Sequence, residues 1–186
     1  MIFTETRIQD AYALEIERVE DLRGFNARSW CQREFEARGL VTRVVQANII
    51  FNKQKGTLRG LHYQLPPYEE AKLVRCARGS VFAVIVDLRP ESPTYLKCAV
   101  DKLTADSYRM LYVPRGCALG SQSLKNNTEI VYQVSEFYHP DSGRGIRYDD
   151  PAFGIQWPLA VTVISDKDRS WPPFREAVVS NPRRPK

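Results

Sequence analysis

Short apolar runs, each ended by turn-forming residues, dominate the middle of the chain. Between residues 41 and 138 the runs are rich in Val, Ile, Leu and Tyr, and Gly, Pro or Asn interrupts them at intervals of about a dozen residues. This rhythm predicts an all-β domain in which each run forms one strand. The predicted strands span residues 41–51, 58–64, 72–77, 81–88, 96–103, 109–113 and 129–138. Seven strands are enough for a β-sandwich or barrel.

One short helix is expected near residues 30–38, before the strand region. Ser29 is of a type that caps helix N-termini, and Gly39 is placed to end the helix. Beyond residue 138, Pro, Asp and Gly become frequent, which predicts loops with one short strand at 161–164. We therefore divide a single domain into an N-terminal arm at 1–40, core strands at about 41–138, and C-terminal loops with short elements at 139–186, frayed at 181–186.

Composition and charge narrow the class of protein. A hydrophobic content of 43% with 11% aromatic residues supports a packed core and excludes disordered and fibrous classes. The net charge of +5 comes from interspersed charges, which suits a phosphate-bearing ligand; no long basic cluster favours nucleic acid. Apolar runs stay far below the roughly 18 residues of a membrane span, and no secretion signal is recognisable. We expect a soluble cytoplasmic protein.

Cysteines and histidines give no support for a metal site. The 4 cysteines form no C-x-x-C pair, and the 2 histidines are too far apart for ligand spacing such as H-x-x-x-H. We expect reduced, mostly buried cysteines, no metal and no other cofactor.

The segment 58–64 places Arg59, His62 and Gln64 inside a predicted strand. Buried polar groups without partners cost roughly 1 to 3 kcal/mol each, so a hydrogen-bond network or a ligand must satisfy them. A purely structural histidine is one interpretation. Strict alternation places Arg59 and His62 on opposite faces, and both reach one cavity only if Gly60 relaxes the pleat as a bulge.

Two other polar residues lie on the same face of their predicted strand as nearby residues. Lys72 shares a face with Val74, and Tyr132 shares a face with Tyr138. These side chains could line one face of the sheet, although lysine and tyrosine are also common at exposed strand ends.

Asp166 and Asp168 are either solvated loop charges or partners for His62. A carboxylate in contact with the imidazole would fix its tautomer and make it a better base.

The motifs occur in a distinctive order along the chain. They are DLRGF (21–25), QAN (46–48), LRGLHYQ (58–64), KLVR (72–75) with RG (78–79), DLR (87–89) with SPT (92–94), VP (113–114), RGIR (144–147) with DDP (149–151), GI (154–155), WP (157–158) and SDKD (165–168). From about residue 23 to residue 168 the chain thereby resembles the dTDP-4-dehydrorhamnose 3,5-epimerase family, sugar-nucleotide epimerases with a cupin-like, or jelly-roll, fold.

This resemblance implies metal-independent epimerisation of a nucleoside-diphosphate 4-keto-6-deoxy sugar at C3 and C5. The 4-ketone acidifies the C–H bonds on both neighbouring carbons. Carried over by position, His62 is the base, Asp168 orients it, Lys72 stabilises the enolate oxygen, and Tyr132 returns a proton on the opposite face.

The resemblance also implies a binding shell and a homodimer whose strands cross between subunits, so that one site borrows residues from both chains. The expected substrate-binding residues are Arg23, Phe25, Arg28, Gln46, Asn48, Arg59, Leu119, Tyr138 and Lys167.

Several positions depart from the family pattern. Leu119 stands where a histidine is usual, Arg28 where a glutamate is usual, and Gly143 where an acidic residue is usual; Ala47 and Ile49 replace an aspartate and a histidine. The proton-transfer groups are retained, which favours altered recognition over lost chemistry. A C3-only or C5-only epimerase, an epimerase for a GDP- or CDP-linked sugar or a heptose, and a non-catalytic sugar-nucleotide-binding jelly roll remain alternatives.

Overall fold

The computed structural model of the chain describes residues 1–174, and nearly all of its regular structure is antiparallel β-strand. The strands are β1 (Ile2–Glu5), β2 (Tyr12–Glu15), β3 (Arg18–Asp21), β4 (Gly24–Ala27), β5 (Gln46–Asn52), β6 (Leu58–Gln64), β7 (Lys72–Arg78), β8 (Ser80–Asp87), β9 (Cys98–Thr104), β10 (Met110–Val113), β11 (Cys117–Ser123), β12 (Thr128–Val134) and β13 (Gly143–Gly145). The helices are α1 (Gln32–Glu36) and α2 (Asp166–Arg169). The predicted fraying at 181–186 lies outside the described residues.

Two antiparallel sheets make the body of the fold. One has the order β1-β2-β10-β7-β12-β5 and the other the order β13-β6-β11-β8-β9, while β3 and β4 form a separate hairpin. Neighbouring strands are mostly distant in sequence, as in a jelly roll. The predicted all-β jelly-roll class is confirmed.

Packing on both faces of β8 explains why residues 81–86 are all apolar. Val81 and Ile85 of β8 pack in a cluster with Val74 and Ile130 of the six-stranded sheet. The alternate residues of β8, including Val84, pack in a second cluster beneath the C-terminal loops. Because both faces of β8 are covered, an apolar side chain is favourable at nearly every position.

The predicted strands agree with the observed ones in part. The 58–64 prediction coincides with β6, whereas β5 starts only at Gln46 and β12 ends at Val134. Tyr138 therefore lies in the loop after β12, not in the strand. The expected strand at 161–164 is reduced to a single bridge between Thr57 and Val163.

Strands β1 to β4, β11 and β13 were not expected. β1 and β2 extend the six-stranded sheet, so residues 1–40 are more than an arm. β11 contains Gly120, Ser121 and Gln122, which have low strand propensity. The segment forms a strand because it pairs with β6 on one side and β8 on the other.

Helix α1 is shorter than predicted, and its cap differs. Cys31, not Ser29, occupies the N-cap position, without a side-chain cap bond. Gly39 has φ +68 and its N–H donates to the carbonyl of Glu36, so the predicted stop is confirmed. No helix within residues 1–174 is long and apolar enough to cross a membrane.

Candidate active site

A cavity of about 530 Å³ opens between the two sheets. Its walls come from β6 and β11 on one side and from β5, β7 and β12 on the other. Ten of the predicted site residues line it: Gln46, Asn48, Arg59, His62, Lys72, Leu119, Tyr132, Tyr138, Lys167 and Asp168.

A bulge in β6 brings Arg59 and His62 to the same cavity. His62 pairs with Leu119 and Arg59 with Ser121, so three steps along β6 match two steps along β11. Gly60 lies at this irregularity with φ +111, and a Cβ there would stand 2.6 Å from a backbone carbon of β11. Only glycine fits, and the predicted relaxation of the pleat is confirmed.

His62 and Asp168 form a hydrogen-bonded pair. The imidazole Nε2 lies 2.6 Å from Asp168 Oδ1, and Asp168 Oδ2 accepts the Gly60 N–H at 3.1 Å. Ser165 caps α2 by accepting the Asp168 N–H at 3.1 Å, which fixes the carboxylate in place. The Asp168 side chain is 6% exposed, whereas that of His62 is 47% exposed.

The pair is arranged for base catalysis. Burial by itself would raise the pKa of Asp168, but the hydrogen bonds and charge of its partners, His62 foremost, outweigh burial and lower it. An ionised Asp168 holds the proton of His62 on Nε2, which leaves the lone pair on Nδ1 to accept a substrate proton.

Lys72 and Val74 are both buried, which confirms that their side chains lie on the same face of β7. Its Nζ lies 2.7 Å from Glu70 Oε1 and donates to the His62 carbonyl oxygen at 3.3 Å. The ammonium is thus held beside the base and at the cavity wall.

Tyr132 faces the base from the opposite sheet. It lies on β12, between Asn48 of β5 and Val74 of β7, whereas His62 is on β6. Burial, followed by the charge of Glu70, raises the pKa of Tyr132, so the phenol stays protonated at neutral pH. A proton acceptor and a proton donor therefore stand on opposite walls.

Cationic and amide groups surround these residues. Arg59 Nε donates to Asn52 Oδ1 at 2.8 Å, which fixes the guanidinium. Lys167 lies on α2 with its Nζ 5.7 Å from the centre of the Trp171 ring. Tyr138 packs against Gly143, where a Cβ would come within 3.0 Å of the phenol ring.

Three predicted binding residues do not line this cavity. Arg23 and Phe25 belong to the β3–β4 hairpin, and the side chain of Arg23 is 89% exposed and paired with Asp21. Arg28 binds Glu34 at 2.9 Å beside α1. Within one chain, Arg28 therefore contributes nothing to this cavity.

Sequence reasoning missed several cavity residues. They are Gln64 as a wall residue, Glu70, Glu136, Arg144, Ser165 and Trp171. The two-residue spacing between Glu70 and Lys72 could have indicated a common face. Within residues 1–174, no group of three or more His, Cys, Asp or Glu side chains could hold a metal ion.

Comparison with known proteins places this geometry in context. The family model described as dTDP-4-dehydrorhamnose 3,5-epimerase matches residues 5–176. The Sinorhizobium fredii protein of that name is 39% identical over 97% of this chain and 93% of its own length. The crystal structure of the Elizabethkingia anophelis enzyme has a TM-score of 0.92 and 35% identity, covering 95% of this chain and 97% of that one. The Legionella pneumophila dTDP-6-deoxy-D-glucose-3,5-epimerase, in complex with dTDP-4-keto-L-rhamnose, has a TM-score of 0.82 and 36% identity, covering 90% of this chain and 89% of that one.

Proposed function

Because the chain belongs to the dTDP-4-dehydrorhamnose 3,5-epimerase family, we propose that it inverts C3 and C5 of a dTDP-linked 4-keto-6-deoxy sugar with His62 as the base. The observation that carries this assignment is the His62–Asp168 pair, which faces Tyr132 across one cavity. The enzyme is an isomerase acting on a sugar nucleotide.

Each inversion consists of two proton transfers. His62 Nδ1 takes the proton from the carbon next to the ketone, and the C–H electron pair moves into the ring to form an enolate whose charge rests on O4. The Lys72 ammonium stabilises that oxygen, because negative charge develops there as the proton leaves. The Tyr132 hydroxyl then gives its proton to the opposite face of the carbon, which inverts the centre.

Binding of the diphosphate falls to the cations of the cavity. Arg59, which Asn52 holds in place, can offer two N–H groups to phosphate oxygens, and Lys167 adds a second charge. The amides of Gln46 and Asn48 lie on β5, next to Tyr132, where they can bind hydroxyl and carbonyl groups of the sugar nucleotide.

The experiment that tests this function is proton NMR of dTDP-4-keto-6-deoxyglucose in heavy water, with His62→Ala as the matched control. We expect the C3 and C5 proton signals to disappear with the wild type and to persist with His62→Ala. Loss of one signal alone would replace the double inversion by a single one, for which Leu119, directly opposite His62, would be the first residue to examine. No exchange by the wild type would refute the epimerase assignment.

We further propose that the active form is a homodimer in which the β3–β4 hairpin reaches the partner's cavity. Val19 is 73% and Leu22 108% exposed on this hairpin, and Ile49 is 69% exposed on β5, the outer strand of its sheet. Exposed apolar patches of this kind are typical of protein interfaces. Arg23 and Phe25 would then join a site that their own chain does not complete.

Complementation tests the shared site. His62→Ala and Arg23→Ala are each expected to lower activity strongly, whereas co-expression of the two chains restores about a quarter of the wild-type sites, because half the dimers carry one intact site. Activity no higher than the sum of the two variants, or a monomer in sedimentation, would contradict the proposal.

We propose the cytoplasm as the place of action. All four cysteines, Cys31, Cys76, Cys98 and Cys117, are unpaired. Free thiols, two of them buried, are typical of proteins kept in a reducing compartment.

A further inference from the structure

Glu70 is a buried carboxylate at the cavity wall that the proposed mechanism does not use. Its Oε1 lies 2.7 Å from Lys72 Nζ, and the two side chains are 12% and 9% exposed. A pair so far removed from water costs desolvation energy, and replacing one partner leaves the other charge buried alone.

A second contact fixes Glu70. Gln64, which is 3% exposed, donates from Nε2 to Glu70 Oε2 at 2.9 Å. The same amide group reaches the carbonyl oxygens of Tyr68 at 2.8 Å and Phe137 at 3.0 Å, which ties it to two loops. Glu70 is therefore held through both oxygens, and its position relative to β6 and β7 is defined.

The geometry leaves one N–H group of Lys72 for a ligand. An ammonium has three N–H donors. One points to Glu70 and a second to the His62 carbonyl oxygen, so the third is available on the cavity side. Because Glu70 and the His62 carbonyl oxygen hold two of the N–H groups, the direction of the third is fixed as well.

We propose that Glu70 is a positioning residue for the epimerisation, which holds the Lys72 ammonium in place and directs its free N–H to the oxygen where enolate charge develops. The proposal rests on the proposed function and names a residue that acts through Lys72 rather than on the substrate. The negative charge of Glu70 has a second consequence: with burial, it raises the pKa of Tyr132 and so keeps the proton donor protonated.

Glu70→Gln tests the proposal because it removes the charge and preserves the size. We expect kcat for deuterium exchange to fall by about 10- to 100-fold with KM within about 2-fold, since both oxygens of Glu70 are already bound to Lys72 and Gln64. The basic limb of the kcat–pH profile should also move to lower pH, because Tyr132 loses a negative neighbour that raises its pKa. A merely structural role would not move that limb.

Glu69→Gln is the matched control. It makes the same charge change one residue away, and Glu69 does not line the cavity. Its kcat and pH profile should match the wild type. Wild-type kcat with an unmoved basic limb in Glu70→Gln would overturn the proposal.

Glu70→Asp separates the effect of the negative charge from the effect of side-chain length. It tests the positioning role if Glu70→Gln does not fold. It keeps the charge but shortens the side chain, so we expect a lower kcat with the basic limb in its wild-type place. Wild-type kcat in Glu70→Asp would overturn the positioning role. Absence of exchange by the wild-type enzyme would instead refute the epimerase function, so the two failures are distinguishable.

Discussion

Two buried aspartates, Asp87 and Asp168, show how one chemical group serves two purposes. Both are almost fully buried, at 0% and 4% exposure, and the pKa of each is lowered by hydrogen-bonding partners that outweigh burial. Asp87 accepts hydrogen bonds from Arg89, Ser92 and Thr94.

The two aspartates differ in what their hydrogen-bonding partners contact next. Arg89, bound to Asp87, also donates to Asp10 and to the Gln9 carbonyl oxygen, so the network closes within the protein and joins the end of β8 to the turn between β1 and β2. His62, bound to Asp168, ends at a cavity. A buried carboxylate stabilises the fold when its network is closed, and it can orient its partner for a ligand when that partner is left open to a cavity.

Asp168→Asn should have the largest effect on activity. The amide can still contact the ring but no longer enforces the tautomer with the lone pair on Nδ1, so we expect exchange at C3 and C5 to fall by about 100- to 1,000-fold. The free energy of unfolding should fall by about 1 to 2 kcal/mol, less than at Asp87, since the amide oxygen cannot accept from both the Gly60 N–H and the half-exposed His62. Full activity of Asp168→Asn together with a large loss of stability would show that Asp168, like Asp87, only stabilises the fold.

Asp87→Asn should have the converse outcome. Replacing one member of a buried ion pair costs about 3 kcal/mol, which urea unfolding would measure, while kcat of the folded enzyme stays within about 2-fold. The exposed pair of Asp149 with Arg147 supplies the control: Asp149→Asn should cost less than about 1 kcal/mol. Equal costs at the two positions would contradict the closed-network interpretation.

Acid should reduce the effect of Asp87→Asn. The network lowers the pKa of Asp87 from 3.8 to about 2. A lowered pKa contributes stability above the unfolded-state pKa, and this stability is lost as the pH falls through the folded-state value. The stability gap between wild type and Asp87→Asn should therefore narrow by about 2 kcal/mol between pH 5 and pH 2, as measured by urea unfolding. A constant gap would show that ionised Asp87 contributes little.

The sequence by itself determined the elements whose signal is local. Alternation and turn residues gave the all-β class and the bounds of β6, and residue order gave the family. β11 was missed because its glycine and polar residues carry no strand signal outside the sheet.

Only the tertiary structure decided which residues meet. The Gly60 bulge brings Arg59 and His62 to one cavity, and folding joins His62 to Asp168 across 106 positions. The placement of Arg23 outside its own chain's cavity is equally non-local in origin. The physical reason is that a side chain's direction depends on strand register and bulges, which are set by packing between strands that the sequence places far apart.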